Sequence, residues 1–253
     1  MLTNTFDPIF VQSIRKRETR DKTGLTIVEG YPEVKRAYDA EVPFESLYIC
    51  KEIFTPATDE FQKVDITYIS KDEFAKIAFG ARLKGILAIC KPHPYTLSEL
   101  RFKADPLIIM LEGVEKPGNL GAVLRTCDGA GVDAVIMCDG RTDVYNHNVV
   151  RSSIGTVFTV PTVAASNQEV YTYLRENSFK VFAATAHTDV IYTECDLTGP
   201  TAIIVGNEHE GLSDFWMEKA DSKITIPMAG TGACLNVAMS ASILTYEAVR
   251  QRS

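Results

Sequence analysis

The chain's 253 residues suit one large domain or two smaller ones, and 45% hydrophobic with 23% charged residues is the make-up of a soluble globular protein. No window approaches the ~20 apolar residues of a membrane span, and the N-terminus lacks the basic and then apolar regions of a signal peptide, so no membrane partner is expected. The six cysteines form no CxxC pair and read as reduced core thiols of a cytosolic (cytoplasmic) protein, and the four histidines show no metal-binding spacing, so no metal is expected.

A formal charge of −7 would argue against nucleic acid if it were uniform, but residues 1–104 hold 16 Lys+Arg against 15 Asp+Glu, and residues 105–253 hold 10 against 18. Residues 8–22 are predicted as one amphipathic helix with Ile9, Phe10 and Ile14 on its apolar side. Its other side clusters Arg15, Lys16, Arg17 and Arg20, opposed only by Glu18. Such a cluster reads either as a phosphate-contacting patch or as a solvated helix face. Strands are predicted at Leu25–Gly30, Ser46–Cys50, Val64–Ser70 and Gly85–Lys91. Pro32 opens one helix, and Ser70 with Glu73 caps another. Residues 1–92 thus form a small α/β domain, and 93–105, with Pro94 and a polar run, a linker.

Residues 106–253 begin with an apolar run, Pro106–Val114, that fits a buried parallel strand. A helix follows with Asn119 as its N-cap and Leu120, Val123, Leu124 and Cys127 as its packed face. Further strands are expected at 134–138, 157–161, 180–185, 201–206 and 223–227, with helices at about 167–177, at 211–219 and from Leu235 onward. The class is α/β with a mostly parallel sheet.

Turns follow three of these strands: Lys116–Asn119 leading to Arg125, Gly206–Leu212, and Ile226–Asn236 with glycines at 230 and 232. In an open α/β sheet, ligands bind beyond the carboxyl ends of the strands, where all three turns fall. No GxGxxG follows a strand, and GxxxxGK[ST] and GxSxG are absent, which argues against a dinucleotide fold, a P-loop and a serine-hydrolase elbow. By residue chemistry alone Arg125 is either a solvated helix arginine or part of a small-molecule site of undefined type.

These turns carry a resemblance. Asn119-Leu-Gly-Ala-Val-Leu-Arg125, Gly206-Asn-Glu208-x-x-Gly211-Leu212 and Ile226-Pro-Met228…Leu235-Asn236-Val237 resemble, in order, the three motifs of the SpoU (TrmH-like) RNA 2′-O-ribose methyltransferases of the SPOUT superfamily. Val150–Gly155, with Phe158 and Pro161, resembles the segment between the first two motifs. The likeness covers about residues 106–251. Residues 12–91 resemble, more softly, the ribosomal-protein-type RNA-binding domain fused ahead of it.

The resemblance implies a deep trefoil knot, S-adenosylmethionine as cofactor and a homodimer packed through the last helix. It implies cofactor contacts from Thr185, Gly206, Ile226, Met228 and Leu235, and a catalytic set of Arg125, Asn119, Glu208 and Asn236. Arg151 joins Arg15, Lys16, Arg17 and Arg20 as RNA contacts. Ribosomal RNA is favoured as substrate, with tRNA or a non-catalytic RNA-binding role as alternatives. One departure stands out: Cys234 occupies the place of the family's usual serine.

Overall fold

The basic N-terminal segment is not one helix but two, α1 (Pro8–Ser13) and α2 (Arg17–Thr23). Asp7 caps the first, its carboxylate accepting from the N–H groups of Ile9 and Phe10. Arg20 explains the break. Its guanidinium folds back to donate to the carbonyls of Ile14 (2.8 Å) and Arg15 (2.6 Å), satisfying the groups that the end of α1 leaves open.

The chain is seen here as a computed structural model that describes residues 6–57, 60–102, 104–138, 143–207, 210–232 and 234–253. It divides into two units, residues 1–93 with 145–159, and residues 94–144 with 160–253. In the first, β1 (Thr26–Glu29), α3 (Tyr31–Asp39), β2 (Phe44–Ile49), β3 (Ile66–Tyr68), α4 (Lys71–Ile77) and β4 (Ile86–Cys90) follow in order. The sheet order is β1-β4-β2-β3, with β4 antiparallel to both neighbours and β3 parallel to β2. Ser70 and Glu73 form the expected reciprocal capping box at the start of α4. Val11, Ile14, Ile27, Phe74, Ile77, Leu87 and Ile89 close one core over this sheet.

Residues 145–159, which chain order places within 106–253, make their contacts in the first unit. Helix α6 (His147–Ser152) packs on β1. The Thr26 hydroxyl donates to the Tyr145 carbonyl (2.6 Å), and Arg36 donates to the Ile154 carbonyl (2.6 Å). The strand expected at 157–161 is instead a 3₁₀ turn, Thr156–Phe158, reached through left-handed backbone at Ile154 and Gly155. Buried valines at 157 and 160 mimic a strand in the sequence, but their backbone bonds close locally, as in Phe158 N–H to Gly155.

The second unit holds β5 (Leu107–Glu112), α5 (Pro117–Ala130), β6 (Ala134–Cys138), β7 (Thr162–Ala165), α7 (Asn167–Glu176), β8 (Lys180–Ala184), β9 (Thr201–Gly206), α8 (Asp214–Lys219), β10 (Ser222–Ile224) and α9 (Val237–Arg252). All six strands pair in parallel, in the order β10-β8-β9-β5-β6-β7. Parallel pairing demands crossovers, and their helices cover both faces. Val170 and Leu174 of α7 and Trp216 of α8 pack on Ile108, Met110, Ile136, Val181 and Ile204. Strand alternation turns Ile109, Leu111, Val135 and Ile203 the other way, toward α5 and α9. Helix α5 starts at Pro117, not after Asn119, because proline at the first helical position forfeits no hydrogen bond. No helix among the described residues is long and apolar enough to cross a membrane.

The end of α9 is pinned to residues 195–199. Gln251 donates to the Cys195 carbonyl and accepts from Leu197 N–H, and Arg252 donates to the carbonyls of Leu197 and Gly199. Arg250 and the Gln251 amide hold the Glu247 carboxyl down to about 2, against an ordinary 4.5. The folded-state value is depressed, so the contribution of Glu247 is whole above pH 4.5 and is lost as pH falls from there toward 2. Acid unfolding of Glu247→Gln, followed by circular dichroism, should show a shallower loss of stability across that window than the parent chain.

Candidate active site

The sheet aims three strand ends at one place. Loops after β8, β9 and β10 border a cavity of about 790 Å³, lined in turn by residues 184–187, by 205–207, 210–212, 214 and 217, and by 224–228, 234, 235, 237 and 240. Thr185, Gly206, Ile226, Met228 and Leu235, the five residues named from sequence for a cofactor, all border it. Thr185 is held by its backbone: its N–H donates to the Ile224 carbonyl at 2.9 Å, tying the exits of β8 and β10 together. Gly206 is required by crowding. A Cβ there would overlap the carbonyl of Gly211 and stand 2.6 Å from the Leu212 nitrogen. The 206–212 turn is closed by Gly211 N–H to the Asn207 carbonyl (3.0 Å) and by the Asn207 side chain accepting from Glu210 N–H (3.1 Å).

The cavity walls mix Leu212, Ile226, Leu235 and Val237 with Thr185, Asn207 and the carboxylates of Glu210 and Asp214. This donor set fits a cofactor with an apolar ring, polar ends and a positive centre. Cys234 also borders the cavity and is exposed.

The remaining predicted residues cluster on α5 and at the start of α9. The Asn236 amide donates to the Asn119 carboxamide oxygen at 3.2 Å, and its own oxygen caps α9 by accepting from Ala238 N–H at 3.0 Å. Thr126 and Ser242 share a hydrogen bond of 2.8 Å that fixes α5 against α9. Arg125 is exposed on α5 and makes no ion pair among the described residues. Arg125, Asn119 and Asn236 do not themselves border the cavity; Asn236 stands between Leu235 and Val237, which do. Glu208 lies outside the described residues.

The sequence model of the SpoU rRNA Methylase family matches residues 106–246, and that of the MRM3-like substrate binding domain matches residues 10–88. The chain belongs to the SpoU rRNA methylase family. A 23S rRNA (guanosine-2′-O-)-methyltransferase, RlmB of Pectobacterium atrosepticum, is 35% identical over 76% of this chain and 82% of its own. The crystal structure of an RNA 2′-O ribose methyltransferase is 37% identical over 97% of this chain and 95% of its own, with a TM-score of 0.84. The SpoU methyltransferase AviRb from Streptomyces viridochromogenes, solved with the cofactor AdoMet, is 26% identical over 97% of both chains, with a TM-score of 0.87.

In this SpoU protein one carboxylate that the motifs do not include organises the site from beneath. Glu112 ends β5 and is buried. It accepts from the Ser213 N–H (2.7 Å), the Ser213 hydroxyl (2.6 Å) and the Asn167 amide (2.8 Å), and Asn167 in turn accepts from the Trp216 indole (2.7 Å). The start of α8, and with it the end of the 206–212 turn, hangs from this group. An acidic residue closing an otherwise apolar parallel strand is the sequence signal that marks it.

The basic cluster does not survive as one patch. Arg20 is buried against α1, so its assignment to RNA is replaced by a structural one. Arg15 donates to the carbonyls of Ile77 and Ala78 at the end of α4, both at 2.6 Å, and is partly committed. Lys16 and Arg17 are exposed, Arg17 beside Asp21 at 3.7 Å. Arg151 is exposed on α6, with its guanidinium 5.0 Å from the Phe79 ring centre and that of Arg15 5.4 Å from the same ring.

Three outcomes follow from these placements. Glu112→Ala strands buried donors and should cost about 2–3 kcal/mol, a fall in Tm of roughly 4–12 °C by calorimetry. Replacing Lys16 and Arg17 together with alanine should reduce the slope of log affinity for RNA against log salt by up to about 0.7 for each phosphate no longer neutralised. Arg20→Gln should lower Tm and leave that slope unchanged.

Proposed function

We propose that this chain methylates the ribose 2′-OH of ribosomal RNA, using S-adenosylmethionine held at the carboxyl ends of β8, β9 and β10. The observation that carries the reading is the cavity bordered by all five residues of the expected cofactor set, in a chain whose residues 106–246 match the SpoU model. RlmB of Pectobacterium atrosepticum is named for the same transfer onto 23S rRNA.

Gly206, Ile226, Met228, Leu235 and Thr185 hold the cofactor, largely through backbone, as the close crossing at Gly206 suits. When bound, S-adenosylmethionine supplies a methyl group already activated by its sulfonium. What remains for the protein is to align the acceptor oxygen and to help remove its proton. Arg125, permanently charged, binds an RNA phosphate and orients the 2′-OH. Asn119 and Asn236, joined to each other, hold the acceptor ribose beside the third turn, and Glu208 fixes the geometry of the second. Cys234 offers a weaker donor than the serine it replaces.

Residues 1–92 serve as the RNA-binding domain, with 93–105 as a linker and 106–253 as the methyltransferase domain. The stretch 225–236 threads beneath the 206–212 turn as a trefoil knot, consistent with both segments bordering one cavity. The exposed side of α9, with Met239 and Tyr246 about half exposed and Ile243 between them, packs against a second copy. The protein acts in the cytoplasm.

Arg125→Ala should lower methyl transfer from labelled S-adenosylmethionine to ribosomal RNA about 100-fold or more, while calorimetric cofactor affinity stays within about twofold. Full turnover in that variant would remove Arg125 from the mechanism; no cofactor binding by the parent chain would remove the function.

A further inference from the structure

A second cavity lies wholly within the first unit and takes no part in the methyl-transfer site. Its volume is about 130 Å³, room for several waters or for one planar ring system. Ile27 and Val150 form apolar walls, and Phe79 an aromatic one. Four cations border it, Arg15, Arg82, Arg151 and Lys84. Lys84 is engaged with Glu33 at 3.1 Å, whereas Arg15, Arg82 and Arg151 make no ion pair among the described residues, and Arg82 and Arg151 are exposed.

Two groups able to accept a hydrogen bond line this basic rim, the Glu29 carboxylate and the His147 imidazole, whose ring packs on Phe79 at 4.7 Å between centres. Glu29, at the end of β1, accepts from the Phe79 N–H through Oε2 at 2.6 Å. Its other oxygen, Oε1, is buried and has no hydrogen-bond partner among the described residues. A buried carboxylate oxygen without a donor is costly, and proteins rarely keep one without a use. Burial pushes the Glu29 carboxyl above its ordinary range, against the Phe79 N–H and the charges of Lys84 and Arg15, so a further donor would relieve it.

We propose that this cavity takes the base of one unpaired guanosine of the substrate RNA, with Glu29 accepting from its Watson–Crick edge and Arg15, Arg82 and Arg151 contacting the flanking phosphates. Single-stranded bases are read by insertion against aromatic or guanidinium planes and by hydrogen bonds to that edge. Guanine alone presents two adjacent N–H donors there. Adenine and cytosine set an acceptor beside their amino group, and uracil sets its N–H between two carbonyls, so each turns an acceptor toward the carboxylate. The inference rests on the RNA substrate proposed above and deepens it: the first unit selects a base, and does not merely attract a backbone.

The test is fluorescence anisotropy of the full chain with labelled oligouridylates whose one central residue is G, A, C or U, without cofactor. The G probe should bind about tenfold more tightly than the other three, the worth of a hydrogen bond to a charged group. In Glu29→Gln the amide oxygen keeps the Phe79 N–H and its NH₂ faces the cavity, so the preference for G should disappear while the melting curve holds. Arg82→Ala should weaken all four probes alike and reduce their salt slope. Equal binding of the four probes by the parent chain, or a G preference that persists in Glu29→Gln, overturns the proposal. Methyl transfer to ribosomal RNA, assayed in parallel, separates the two readings. Its absence alone would sink the activity and leave the base preference intact, and its presence with four equal probes would do the reverse.

Discussion

Much of the second unit depends on two stretches of backbone passing at Gly206 with no room for a side chain. A Cβ at that position would run into the Gly211 carbonyl, so the chain turns back across its own strand end at van der Waals contact. That crossing brings the 206–212 turn over the end of β9 and makes it a wall of the cavity. The turn would be a poor wall if it were free to lift. Glu112 prevents that by accepting three hydrogen bonds beneath it, two from Ser213 and one from Asn167. Steric necessity above and a buried carboxylate below thus set the shape of the site, and the sheet order supplies the place for it.

The two units carry different kinds of charge to different purposes. The second is acidic in sum, yet presents Arg125 on the exposed side of α5. The first holds cations that the sequence shows as a run and the structure sorts by job. Arg20 and Arg15 close helix ends. Lys16 and Arg17 face solvent, and Arg151 arrives from residues 145–159 to share the Phe79 ring with Arg15. Arginine suits both roles, since its planar fork satisfies several carbonyls at once and stacks on aromatic faces.

The α/β class, nearly every strand and helix, and the capping box at Ser70 were legible in the chain, because period, apolar runs and caps are local properties. The five residues expected to contact a cofactor were named for a different reason, likeness to a family by motif and position, and all five border one cavity. Two local signals misled. Val157 and Val160 read as a strand because burial, not extension, selects their side chains. Asn119 has the side chain of a cap, but the proline two residues earlier starts α5 and leaves Asn119 inside its first turn.

Sequence by itself determined the elements, the composition of the turns and the family to which they belong, since these follow from residues near one another in the chain or from motif order. Tertiary structure alone decided which long-range partners those residues take. It broke the basic helix between Ser13 and Arg17, carried residues 145–159 into the first unit, and joined Asn119 to Asn236 across 117 positions. It also left a buried Glu29 oxygen without a donor in a residue that lines a basic cavity. The first three share one physical reason. A buried hydrogen-bonding group must find a partner wherever packing puts it, and one-dimensional spacing carries no information about where that is.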